Sequence, residues 1–267
     1  MGFFTVEVKP TIPASKLQGG TFAAGDILFP WTAFDVPKGG AKLVGATVLT
    51  RPKGDGGPTG NNFGMDLIFS KTDDQEFGTV SGAPTNIPSN DLLGVVGLLT
   101  GHAGHWARAG TSTCIATSSA GGAGQPSAIV FSNLSGQDTI SGTEASRTAV
   151  NIGYDRFYIS ALATATMTFV TLNTIAATAT ASNQVVCDGS GMNLAEHFLP
   201  GDVLHCGTTV GAAAADALIG TVLNLGDAAG DDTDTTLTLT AVAATTHVDG
   251  TLIQNIHPIR IILHFEN

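Results

Sequence analysis

Hydrophobic and polar residues alternate along this chain in short runs, and Gly, Pro, Asn and Asp separate the runs. Period two marks a strand with one buried face. Phe3 to Lys9 reads FFTVEVK, with Phe4, Val6 and Val8 on one face and Thr5, Glu7 and Lys9 on the other. Pro10 and Pro13 stop it. Such a terminal segment pairs either with its own sheet or with the edge of a neighbouring subunit. Further strands are expected at Ile27–Trp31, Leu43–Arg51, Met65–Ser70, Ile129–Phe131, Tyr154–Ile159, Asn183–Cys187, Leu218–Leu225, Thr235–Val242 and Ile259–Phe265. Asp91–Leu99 is apolar and broken by Gly94 and Gly97, so it reads as a bulged strand or a short helix. Gly101 to Gln125 has few large side chains and reads as irregular surface. Leu194–Phe198 has the length of one helical turn, stopped by Pro200.

The longest charge-free run lies between Arg156 and Asp188. A membrane-spanning helix needs about 20 mostly apolar residues, so the run is long enough. Its pattern argues for strand instead. Thr164, Thr166 and Thr168 alternate with Ala163, Ala165, Met167 and Phe169, and β-branched Thr favours extended backbone. The stretch is expected to close one β unit and lead into a second, with the seam near Thr171–Ala181.

The fold class expected is all-β. Residues 1–172 form an N-terminal β-sandwich or jelly-roll-like domain, and residues 173–267 a smaller C-terminal β-barrel-like domain. The closing strand Ile259–Phe265 leaves a second topology open, in which it returns to the first sheet and makes the second unit an insertion. Gly25-Asp26-Ile27-Leu28, followed by Leu43–Leu49, is echoed by Gly201-Asp202-Val203-Leu204, followed by Leu218–Leu223. Either a duplication or common turn chemistry accounts for the echo.

Composition narrows the partners. The chain has 267 residues, of which 12% are charged and 43% hydrophobic, and a net charge of -11. Disordered chains are richer in charge than this. The 11 Lys+Arg residues are spread thinly, which speaks against nucleic acid and against an anionic membrane surface. Cys114, Cys187 and Cys206 are an odd set with no CxxC pair, so buried free thiols are expected in place of a disulfide scaffold. The N-terminus has neither a signal-peptide pattern nor the Ser or Thr at position 6 of a myristoylation signal.

Candidate chemistry is sparse. His102 and His105 have HxxH spacing but no third ligand nearby in sequence. Asp227, Asp231, Asp232 and Asp234 supply carboxylates to a Gly-containing loop without EF-hand spacing. Cys187-Asp188-Gly189-Ser190-Gly191 does not match the G-x-S-x-G nucleophile elbow. Trp31, Trp106, Tyr154 and Tyr158 are the side chains available for stacking on sugars, though core and interface roles suit them better. No catalytic residue, cofactor or metal site is assigned from the sequence.

In style, this low-charge chain rich in Gly, Thr and Ala resembles virion accessory proteins of tailed bacteriophages, most closely head decoration (cement) proteins. The resemblance rests on Phe22–Phe29, Asp35–Leu43, Asn62–Phe69 and Asn255–Leu263. It implies a non-enzymatic structural protein on the capsid surface of the virion, assembled in the host cytoplasm. The partners implied are the major capsid protein and further copies of the chain, expected as a trimer. The expected capsid or subunit contacts are Phe3, Phe4, Val6, Val8, Pro10 and Trp31. On that reading, removing residues 1–13 would weaken attachment without unfolding the β domains. The alternative is a phage tail, fibre or baseplate subunit with a carbohydrate-binding β module. A hydrolase on a β scaffold would need converging His and carboxylate groups that the sequence does not reveal.

Overall fold

Short amphipathic runs separated by Gly and Pro form short antiparallel strands here, and the described chain is essentially all-β. The computed structural model describes residues 2–17, 20–37, 39–50, 64–71, 73, 77–85, 95–101, 106–109, 113–119, 129–131, 154–169, 174–176, 182–188, 198–207, 217–226, 236–241 and 252–267. In chain order the elements are β1 (Phe3–Val8), the four-residue helical turn α1 (Ala14–Leu17), β2 (Thr21–Phe22), β3 (Ile27–Pro37), β4 (Ala41–Thr50), β5 (Met65–Ser70) and β6 (Val95–Gly101). Next come β7 (Trp106–Ala109), β8 (Thr113–Ser119), β9 (Ile129–Phe131), β10 (Tyr154–Ala163), β11 (Met167–Thr168), β12 (Thr174–Ile175) and β13 (Gln184–Asp188). The chain ends with β14 (Val203–Gly207), β15 (Ala217–Gly226), β16 (Thr236–Leu239), β17 (Leu252–Asn255) and β18 (Ile259–Glu266).

One sheet runs β1-β18-β4-β8-β7, with β9 also paired to β4, and a second runs β3-β10-β5-β6. Each turns an apolar face to a common core. Leu43, Ile261, Leu263 and Phe265 come from the first sheet, and Phe29, Phe69, Phe157 and Ile159 from the second. Phe34 packs against Phe69, Phe157 and Phe265, with ring centroids 6.1–6.3 Å apart, and so ties the two sheets together. The strands β12-β13-β16-β15-β14-β17 pair in a closed circuit around a separate core that includes Ile175, Val185, Phe198, Leu237 and Ile253.

β18 lies between β1 and β4, not in the closed circuit. Ile259–Glu266 therefore departs from the sequence boundary at 172/173, which placed it with the C-terminal unit. Its strict alternation explains the choice. Ile259, Ile261, Leu263 and Phe265 are all fully buried against the large core, and the residues between them are half-buried. The termini meet there, where the Asn267 N–H donates to the Gly2 carbonyl at 2.9 Å.

The charge-free central stretch is not one strand. β10 runs to Ala163, residues 164–166 bend through exposed positions, and Met167–Thr168 joins the separate β2 ribbon. The Thr alternation there does not lengthen the strand: the Thr164 N–H still bonds the Gly64 carbonyl at 3.0 Å, in line with the β10–β5 register, and the chain then turns away through residues 164–166. No helix among the described residues is long and apolar enough to cross a membrane. Of the ambiguous Asp91–Leu99 run, Val95–Leu99 is strand within β6, and residues 91–94 lie outside the described residues. β7 and β8 correct the expectation of irregular surface between Gly101 and Gln125. β8 is held by backbone pairing along β4, which does not require large side chains.

Candidate functional site

The two Gly-Asp echoes fold alike. Asp26 N–H donates to the Ala23 carbonyl at 3.1 Å, and Asp202 N–H to the Leu199 carbonyl at 3.0 Å. Each carboxylate reaches back: Asp26 Oδ2 accepts from the Ala23 N–H at 2.7 Å, and Asp202 Oδ2 from the Leu199 N–H at 2.8 Å. Gly25 and Gly201 sit at φ +89° and +91°, the left-handed position that a type II turn demands of its third residue. Each turn then docks on a strand in the same way. Gly25 and Asp26 exchange hydrogen bonds with Ala163, and Gly201 and Asp202 with Val222. The likeness stops at that point. β14 pairs with β15, the echoed strand, but β3 pairs with β10 while β4 lies in the other sheet.

The second of these turns lines a cavity of about 150 Å³ where the closed circuit meets the first sheet. Leu199, Gly201 and Asp202 face Leu49 and Thr50 of β4 across it, with Lys9, His257, Pro258 and Arg260 completing the wall. His257 Nδ1 lies 3.1 Å from the Pro10 carbonyl, and a carbonyl only accepts, so Nδ1 carries the proton. The Ile12 N–H donates to the Ile256 carbonyl at 3.0 Å beside it. Glu7 takes up the neighbouring cations, with Arg260 Nε at 2.8 Å and Lys9 Nζ at 3.7 Å. Substrate pockets usually measure about 300–1,000 Å³, whereas a cavity of this size holds a molecule like benzene. Its scale is that of one inserted side chain.

The contact residues expected from the sequence fall in different settings. Phe3 is 75% exposed. Phe4 stacks on Phe265 with centroids 5.1 Å apart, and Val6 packs against the same core. Val8 and Pro10 are buried in their own chain, which leaves no surface there for a partner. Trp31 lies in the second sheet, half-buried over Phe77 at 5.0 Å. Of the other aromatics, Tyr158 is buried and Tyr154 is exposed. Tyr154 is in register with Pro37, six residues from Trp31 along β3, or about 20 Å at strand rise. These rings do not form one stacking platform.

Cys187 is a buried free thiol, and burial pushes its pKa up to about 12, far from a nucleophilic thiolate at neutral pH. His102, His105, Ser190 and the carboxylates of Asp227–Asp234 lie outside the described residues. Among the described residues, no three His, Cys, Asp or Glu side chains are grouped to hold a metal. Sequence reading missed two polar pairings. Arg156 forks onto Asp35, with Nε to Oδ1 at 2.9 Å and Nη2 to Oδ2 at 3.3 Å, which raises the Arg156 pKa chiefly through that hydrogen bond. Thr47 Oγ1 meets His264 Nε2 at 3.0 Å on the outer face of the first sheet. Both join residues more than a hundred positions apart, and only strand register brings them together. The chain matches no protein-family model, and a search of curated proteins finds no similar sequence.

Proposed function

We propose that the chain is a non-enzymatic structural protein of a tailed-phage virion, which decorates and stabilises the outer surface of the capsid after assembly in the host cytoplasm. On this reading the two-sheet body is sandwich or jelly-roll-like, and the closed circuit is a small barrel inserted before its last strand. The observation that carries the proposal is the edge at β1, beyond which no further strand pairs among the described residues. There the first sheet ends on a strand with outward Phe3 three-quarters exposed, beside an outer face already tied by Lys42–Glu266, Thr47–His264 and Arg260–Glu7 contacts. A free strand edge offers backbone hydrogen bonds to another chain, and an exposed aromatic offers burial. The barrel adds Leu199 and Leu223, 40% and 56% exposed. The mechanism is adhesion. Many copies each bury a modest surface on the major capsid protein, and lattice attachment makes their effects cumulative.

The test is electron microscopy of purified particles, combined with mass spectrometry for copy number. Many copies spread over the head lattice are expected. A few copies confined to the tail would replace this reading with that of a tail, fibre or baseplate subunit, and absence from particles would end it.

A further inference from the structure

We infer that β1 is a self-association edge, on which a second copy of this chain adds its own β1 antiparallel about a two-fold axis at Thr5. The inference rests on the open edge used above and names its partner. The Gly2 carbonyl accepts from Asn267, and β1 pairs with β18 in register from Phe3↔Glu266 to Val8↔Ile261. Hydrogen-bonded and non-hydrogen-bonded pairs alternate along an antiparallel ladder. Gly2, Phe4, Val6 and Val8 therefore spend their N–H and C=O groups on β18, while those of Phe3, Thr5 and Glu7 point away from the sheet. Among the described residues no backbone group bonds these outward positions.

The three outward residues are symmetric about Thr5. A two-fold pairing centred there sets Phe3 opposite Glu7 of the second copy, and Thr5 opposite Thr5. Thr–Thr pairs across strands are favourable, and no like charges face each other. Shifting the centre to Glu7 would oppose two carboxylates, which is unfavourable. On the inner face the same register sets Phe4 beside Val6 of the second copy. Both are only partly buried at the margin of the large core, so pairing completes their cover. An isologous contact of this kind closes on itself and gives a dimer, where the resemblance implied a trimer.

The test is sedimentation velocity on the full chain, free of particles. Wild type is expected at twice the chain mass. Thr5→Pro removes an N–H that β18 does not use, and Pro is tolerated on sheet edges. It is expected to give a monomer with unchanged circular dichroism. Thr5→Cys is expected to form an interchain disulfide on oxidation, beyond any seen with wild type, because hydrogen-bonded pairs hold Cα atoms about 5.5 Å apart. This second variant keeps the test decisive if Thr5→Pro fails to fold. A monomeric wild type, a Thr5→Pro dimer or an uncrosslinked Thr5→Cys chain would each overturn the inference. A monomer that still decorates particles sinks the self-pairing and leaves the proposed function standing. A dimer never found on particles does the reverse.

Discussion

Cys187 packs with Ile175, Val185 and Leu237 inside the closed circuit, and burial alone raises its pKa from 9.0 to about 12. The folded state thus holds the thiol proton more tightly than the unfolded chain does. Its stabilising contribution is complete below about pH 9 and is lost as pH rises towards about 12. Denaturation midpoints measured from pH 7 to 11 should fall at the alkaline end, less steeply in Cys187→Ala than in wild type. The native thiol should also resist aromatic disulfide reagents until the protein unfolds. Phe265 touches both Phe4 and Phe34 and is fully buried, so Phe265→Ala should cost about 3–5 kcal/mol in chemical denaturation. Sequence alternation identified Phe4, Val6 and Val8 as the inward face of β1. The same alternation sets Phe3 on the opposite face with Thr5 and Glu7, where it is left in solvent.

Elements depend on turns as much as on strands. Gly25 and Gly201 adopt the same left-handed backbone, and an added Cβ would meet nothing within 4 Å at either. Gly25→Ala and Gly201→Ala should therefore cost backbone strain alone, about 1–2 kcal/mol each. The carboxylates behind them differ. Asp202 is 6% exposed and Asp26 is more open, so Asp202→Ala should destabilise more than Asp26→Ala. Equal losses in thermal melts would contradict this. The Gly-Asp turns were legible because their chemistry is local. β7 and β8 were not, because Thr113–Ser119 is a strand by virtue of β4 alongside, and Trp106–Ala109 by virtue of β8. The Thr164–Thr168 alternation misled for the complementary reason, since among the described residues only its Met167–Thr168 end has a strand, β2, paired beside it.

At the scale of the molecule, the first and last strands hold the large sheet together. β18 pairs with β1 on one side and β4 on the other, and Val8 and Ile12 are in the large core. Deleting residues 1–13 should therefore unfold or severely destabilise the body, contrary to the expectation of a dispensable arm. Truncation before Ile259 should do the same. Retention of native circular dichroism and protease resistance in either variant would refute this placement. The sequence by itself determined that the described chain is essentially all-β, where most of its strands lie and which turns need Gly, because alternation and turn chemistry act over a few residues. Tertiary structure alone decided that the last strand returns to the first sheet, that Arg156 meets Asp35, and that β1 is an edge paired within its own chain. Those outcomes depend on which strands lie side by side, and pairing joins residues hundreds of positions apart through backbone groups that every residue shares.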